Sequence, residues 1–222
     1  MAQTSIAGQT AAGGYLAVPP SGAGPGVLVL HAWWGLTPFI RELCDRLAAE
    51  GFVALAPDLY GGPTAATVEE AQALVDGADG ERVRAAALAG LEALRALPAV
   101  SGGRVAALGL SFGAAWGLLL STLDPAIAAV VIFYGTYPLD FAPARAAYLG
   151  HFAPDDPWEP AEAVAELERA LRGAGRELTF HRYPGTAHWF FERDRPEYDP
   201  EAAALAWERT LAFLRAQLAG GA

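Results

Sequence analysis

Cysteine is nearly absent from this 222-residue chain. Cys44 stands alone, which excludes an internal disulfide framework and any cluster of thiolate metal ligands. Its spacing with Ile40, Leu43 and Leu47 puts it on the apolar stripe of a helix, as a buried residue rather than a nucleophile. Lysine is missing altogether: all fifteen basic residues are arginine, against twenty-five acidic ones, and the net charge is −10. A chain so acidic, with no basic run, repels phosphate backbones and anionic lipid, so neither nucleic acid nor a membrane surface is expected as a partner. The four histidines, His31, His151, His181 and His188, show no H-x-H or H-E-x-x-H spacing, and neither metal nor cofactor is expected.

A secretory leader is also missing from view. Met1 to Pro20 has no basic start and no apolar core, which favours a cytoplasmic location. The uncharged run Val105 to Leu123 approaches the length of a membrane span, yet Gly109, Ser111, Gly113 and Gly117 interrupt it, and a strand-turn-helix reading explains it better. What the chain does have is apolar content: 53% hydrophobic against 18% charged residues, the balance of a packed globule. Its length suits one domain over residues 1–222, as a monomer or a small homo-oligomer.

Short apolar runs rich in β-branched and aromatic residues predict buried strands at Val27 to His31, Val53 to Ala56, Val105 to Leu108, Ala129 to Tyr134, Ala146 to His151 and Leu178 to Tyr183. A further strand, antiparallel and at the sheet edge, is expected at about Thr10 to Val18. Helical stripes lie between and after these runs. Thr37 and Pro38 open the helix carrying Ile40, Leu43 and Leu47; others carry Val83, Ala87, Leu91 and Leu94; Val164, Leu167 and Leu171; and Leu211, Leu214 and Leu218. Gly61, Gly62 and Pro63 mark a further long loop, in which Glu69 and Glu70 lie. This alternation predicts an α/β fold with a mostly parallel sheet covered by helices on both faces, and functional groups at the carboxyl ends of its strands.

Leu108 to Gly113 contains G-x-S-x-G after an apolar strand and before a helix, the setting in which a sharp turn lifts a serine hydroxyl above the sheet. Residues two before and two after the serine must then be very small, as Gly109 and Gly113 are. A serine hydroxyl is a weak nucleophile. It needs an imidazole base, and the imidazole needs an acid to fix its tautomer. The order serine, acid, histidine leaves two downstream bases. His181 lies inside a strand pattern, whereas His188 lies in the loop that follows it, and His188 is the expected base. The acid should leave the strand before, where Asp155 and Asp156 compete; the pattern favours Asp156, the other residue capping a helix near Pro160 or facing water. The oxyanion hole is expected from the backbone N–H groups of Phe112 and of Trp33, in the loop after the first strand. His31, just before it, reads as a hydrogen-bonding residue that positions this loop rather than as a catalyst.

These residues resemble the dienelactone hydrolase family of α/β-hydrolases from about Tyr15 to about Leu218. The likeness is carried by Leu30-His-Ala-Trp-Trp-Gly-Leu36, by Ala56-Pro-Asp-Leu-Tyr-Gly-Gly62, by Asp156-Pro-Trp-Glu-Pro160 with His151-Phe152 before it, and by Tyr183-Pro-Gly-Thr-Ala-His188. The resemblance implies an α/β-hydrolase fold without a large cap domain, and it puts the family's acid and base on Asp156 and His188. Two positions depart from it. Family members usually carry a cysteine nucleophile and a glutamate in the oxyanion loop, where this chain has Ser111 and Ala32. Glu69, Glu70 and Glu192 also suggest an acidic rim that would repel the carboxylate of a dienelactone.

The expected function is therefore that of a serine hydrolase cleaving small carboxylic esters through an acyl-enzyme on Ser111. Trp34, Trp158, Trp189 and Phe190 are expected to wall an apolar substrate pocket. A thioesterase or a lactone hydrolase could use the same triad, and a non-catalytic binding protein could share the fold.

Overall fold

The computed structural model describes residues 6–9 and 13–219, and its internal contacts divide into two compact units meeting between Val105 and Ala106. In the first unit, β1 (Ile6–Gln9) and β2 (Tyr15–Val18) precede β3 (Gly24–Leu30), α1 (Pro38–Ala49), β4 (Val53–Ala56), α2 (Val68–Gly77) and α3 (Gly80–Ala96). The strand order is β1-β2-β4-β3, with β3 parallel to β4 and with β2 antiparallel to both β4 and β1. The expected early strand is thus antiparallel but internal, because β1 takes the edge. Residues 10–12 of that expectation lie outside the described residues.

All four residues of β4 are buried, and successive side chains of a strand point to opposite faces, so both faces of this strand are covered. The covering helices show their predicted stripes. Ile40, Leu43, Cys44 and Leu47 are buried on α1, and Val83, Ala87, Leu91 and Leu94 on α3. Burial pushes the Cys44 thiol well above its ordinary pKa, leaving it an inert packing group. Thr37 does stand at the start of α1, but its side chain caps nothing.

The second unit holds the end of β5 (Val100–Leu110), which runs across the division, then α4 (Phe112–Leu123), β6 (Ile127–Phe133), β7 (Ala147–Phe152), α5 (Ala161–Gly173), β8 (Leu178–Arg182) and α6 (Pro200–Leu218). Its strand order is β5-β6-β7-β8, and β6, β7 and β8 run parallel in a register that pairs Phe133 with His151 and His151 with His181. Every residue of β6 and of β7 is buried, as continuous apolar strands covered on both faces should be. The carboxyl ends of β5, β6, β7 and β8 release the segments that begin at Ser111, Tyr134, Ala153 and Tyr183. The longest connections, 134–146 and 183–199, are too short to hold a cap domain. No helix among the described residues is long and apolar enough to cross a membrane.

Candidate active site

Ser111 is held in a turn that few residues tolerate. Its φ of 48° and ψ of −113° leave the ordinary regions, and its N–H donates to Phe133 O on the neighbouring strand at 2.8 Å. The turn returns the chain so sharply that a Cβ on Gly109 would lie 2.4 Å from Gly113 O and 2.5 Å from Ala114 Cα. Those are backbone atoms that cannot swing aside. Gly109→Ala should therefore lower stability by about 3 kcal/mol, at the upper end of ordinary overpacking, and displace the serine with it. Urea unfolding measures the first effect and esterase kinetics the second; a variant with wild-type stability and turnover contradicts the turn's role.

Seventy-seven residues later, His188 stands on the turn after β8. Its Nε2 lies 2.9 Å from Ser111 Oγ, and its Nδ1 lies 2.6 Å from Asp156 Oδ2. The imidazole is 3% exposed and Asp156 6% exposed, so this chain of hydrogen bonds runs largely out of water. An ionised carboxylate can only accept, so Nδ1 carries the proton and Nε2 is left to accept from the serine. Asp156 Oδ1 meanwhile accepts from the N–H groups of Trp158 and Glu159 at 2.9 and 3.1 Å. Asp156 thus both orients the imidazole and closes its own turn. Neither Asp155 nor Asp156 caps α5, which begins after Pro160 with no side-chain cap.

Glu159 ties this turn down further, accepting from both the N–H and the hydroxyl of Thr136 in the segment after β6. Three non-glycine residues among those described have positive φ: Ser111, Tyr134 at 38° and Trp189 at 66°. They are Ser111 itself, a ring against His188 and the residue after His188, so backbone strain gathers around this line of hydrogen bonds.

The aromatic residues divide by role. The Trp189 ring stands perpendicular to His188 at 4.9 Å and meets Trp158 at 5.6 Å, with Trp158 47% exposed. These two rings stand beside His188. Phe190, expected with them, is instead fully buried between Tyr134 and Tyr183, and its ring is core packing. Within the first unit, Trp33 and Trp34 are buried edge to face at 5.4 Å, and Trp34 O accepts from Ala65 N. Trp34 is thus a packed residue of its own loop.

His31, in the same unit, is fully buried with its pKa lowered to about 4 by desolvation. Its Nδ1 donates to Ala32 O at 2.7 Å and its Nε2 accepts from Leu59 N at 3.1 Å. The neutral ring pins the loop after β3 to the loop after β4, the positioning role read from the sequence, with an acceptor function added. His151 and His181 likewise stand apart from the triad: His151 is buried and held well below its ordinary pKa by desolvation, bonded to Tyr183 and Thr210.

Of the three glutamates expected at an acidic rim, Glu69 and Glu70 are exposed and Glu192 is not. Glu192 is 2% exposed, accepts a hydrogen bond from Tyr134 Oη at 2.9 Å, and has its pKa raised to about 8, chiefly by desolvation. It is mainly a neutral acid at pH 7. Glu70 is spent on a capping box with Thr67 at the start of α2, a helix in the region read as a loop. Among the described residues no group of three or more His, Cys, Asp or Glu is arranged to hold a metal ion.

Phe112 also heads a group along α4 whose other members sequence reasoning did not single out. Phe112, Ala115, Trp116 and Leu119, with Tyr137 from the segment after β6, line a cavity of about 280 Å³. Their spacing of three, four and seven was a visible signal, masked because α4 is apolar on every side.

The sequence pattern of the Dienelactone hydrolase family matches residues 12–218. The chain belongs to that family. It is similar to Protein usf of Aquifex pyrophilus, at 33% identity over 92% of this chain and 93% of that one. A protein of Bradyrhizobium sp. named "Probable 2-oxo-3-(5-oxofuran-2-ylidene)propanoate lactonase" is 32% identical, over 93% of this chain and 90% of that one. Among solved structures, a dienelactone hydrolase-like promiscuous phosphotriesterase from metagenomic libraries superposes with a TM-score of 0.83 at 26% identity, covering 96% of this chain and 98% of that chain. The fold is accordingly the α/β-hydrolase fold of this family, and the chain is a hydrolase of the dienelactone hydrolase family.

Proposed function

We propose that this dienelactone hydrolase family member cleaves carboxylic esters and lactones through an acyl-enzyme on Ser111. The observation that carries the proposal is the continuous hydrogen-bonded line from Ser111 Oγ through His188 to Asp156 Oδ2. Ser111 Oγ bonds to the acyl carbon as His188 Nε2 takes its proton, and Asp156 stabilises the imidazolium that results. The developing oxyanion is held by the N–H of Phe112, the first residue of α4, where the helix end favours negative charge. A second donor, the N–H of Trp33, is expected from the sequence pattern of the fold. His188 then protonates the leaving oxygen, the acyl–oxygen bond breaks, and a water activated by the same imidazole releases the acid.

Lactones belong in the proposal for two reasons. A relative at 32% identity bears a lactonase name, and Glu192, buried and bonded to Tyr134 Oη, does not present its carboxyl to a substrate. A panel of oxygen esters, thioesters and lactones tests the assignment. Turnover of oxygen esters or lactones that disappears on fluorophosphonate labelling of Ser111 supports it; no labelling and no turnover leaves a non-catalytic binding protein. Asp156→Asn should lower kcat about 10⁴-fold by favouring the wrong tautomer of His188. Steady-state kinetics on a p-nitrophenyl ester measure this, and a loss of tenfold or less contradicts the role given to Asp156.

A further inference from the structure

Helix α4 has two apolar faces and buries only one of them completely. Gly113, Ala114, Gly117, Leu118, Leu120 and Ser121 are buried, and the helix packs on β6. Phe112, Ala115, Trp116 and Leu119 form a separate stripe that stays half-exposed, and Leu123, 43% exposed, continues it. A surface helix ordinarily turns charged or polar residues to water on such a face. Here the stripe instead lines the cavity of about 280 Å³, closed on another side by Tyr137, with Phe112 and Trp116 edge to face at 6.0 Å. That volume falls just below the range for whole ligand pockets, roughly 300–1,000 Å³, and suits part of a ligand. None of the five lining residues is charged.

We infer that this trough along α4 is the acyl-chain subsite of the hydrolase, selecting esters whose acyl group is uncharged and apolar. The inference rests on the acyl-enzyme reading above. It commits to the acyl side for a chemical reason. The leaving oxygen must take its proton from His188 Nε2, so the alcohol portion lies toward the imidazole, whose walls are Tyr134, Trp189 and Trp158. None of these lines the trough. Phe112 does, and it is the residue after Ser111, so the trough begins one residue along the chain from the group that carries the acyl chain. An apolar lining favours each added methylene by about 0.8 kcal/mol when it is fully buried, a factor of about four, whereas a terminal carboxylate there would lose its hydration without a partner.

The test is a pair of ester series measured as kcat/KM: p-nitrophenyl acetate to octanoate, which lengthens the acyl group, and methyl to hexyl acetate, which lengthens the alcohol. A rise of about three- to fourfold per methylene in the acyl series alone, up to a plateau, is expected. Leu119→Trp, which fills the trough, should cut the octanoate-to-acetate ratio of kcat/KM by tenfold or more, and Trp116→Ala should also change it. Because a ratio is unaffected by the folded fraction, partial misfolding of a variant does not obscure the result. An acyl series that stays flat, a dependence on the alcohol instead, or a ratio unmoved in both variants overturns the subsite. Acetate turnover that survives Ser111→Ala would instead overturn the acyl-enzyme reading itself.

Discussion

Ser111→Ala should lower kcat for p-nitrophenyl acetate by on the order of 10⁴-fold or more while leaving the chain folded. In the proposed mechanism the hydroxyl makes the bond-forming attack, and a triad acts as a unit, so removing the nucleophile removes nearly everything the other two members contribute. His188→Ala should cost a similar factor for the same reason, and combining the two should add little to either alone. The fold should survive because alanine keeps the Cβ and the backbone N–H that donates to Phe133 O, so the turn meets the same strain and the same hydrogen bond as with serine. Steady-state kinetics over a substrate range, with circular dichroism on the same samples, measure both halves. A variant that keeps turnover within tenfold of the wild type would remove Ser111 from the mechanism. Equally telling would be a double variant much slower than either single one, since that would mean that serine and histidine act independently.

That Ser111 and His188 come together was legible in the sequence because a strained turn admits so few residues. Gly109 has backbone atoms within 2.5 Å of where a Cβ would stand, and that constraint writes itself into the chain as G-x-S-x-G. Order along the chain then left His188 and a choice between two aspartates. Pattern could favour Asp156 but not show that one carboxylate both orients the imidazole and closes its own turn, because that depends on which way each oxygen points. The segments that carry the family likeness also have a physical counterpart. His31 bonds to Leu59, joining the first two, and Asp156 bonds to His188, joining the last two.

The misreadings share a different cause. Glu192 reads as a rim charge because sequence gives identity and not depth; only packing reveals that it is buried beneath a tyrosine. The stripe on α4 was hidden by composition, since periodicity cannot separate two apolar faces on one helix. By contrast, α2 was available: Thr67 to Glu70 is a capping-box signature, overlooked because the glycines and proline before it suggested a longer loop. Phe190 was misjudged because adjacency to a catalytic residue says nothing of which side of the backbone a ring takes.

Glu192 should also give the protein's stability an unusual dependence on pH. Its folded pKa of about 8 lies above the ordinary glutamate value, so between about pH 5 and pH 8 the folded chain holds a proton that the unfolded chain has released. Stability must then fall as pH rises through this window, by at most about 1.4 kcal/mol per pH unit from this group, and level off above the folded pKa. The groups around it pull both ways, Asp194 and Glu197 favouring the neutral acid and Arg195 the carboxylate, but burial is the largest cause. Glu192→Gln keeps the shape and an oxygen that accepts from Tyr134 Oη while removing the titration. The variant should lose this downward slope and at pH 8 exceed the wild type by on the order of 4 kcal/mol. Urea unfolding at unit steps from pH 5 to pH 8 measures it; parallel curves for the two proteins would mean that Glu192 ionises as it does in water. The consequence reaches the site, because the Tyr134 ring lies 4.8 Å from the His188 ring, and its hydroxyl is anchored by the group that titrates. Above pH 8 the wild type must keep a buried carboxylate or loosen the packing that holds His188, whereas the glutamine variant faces neither choice. Its kcat should therefore persist to higher pH.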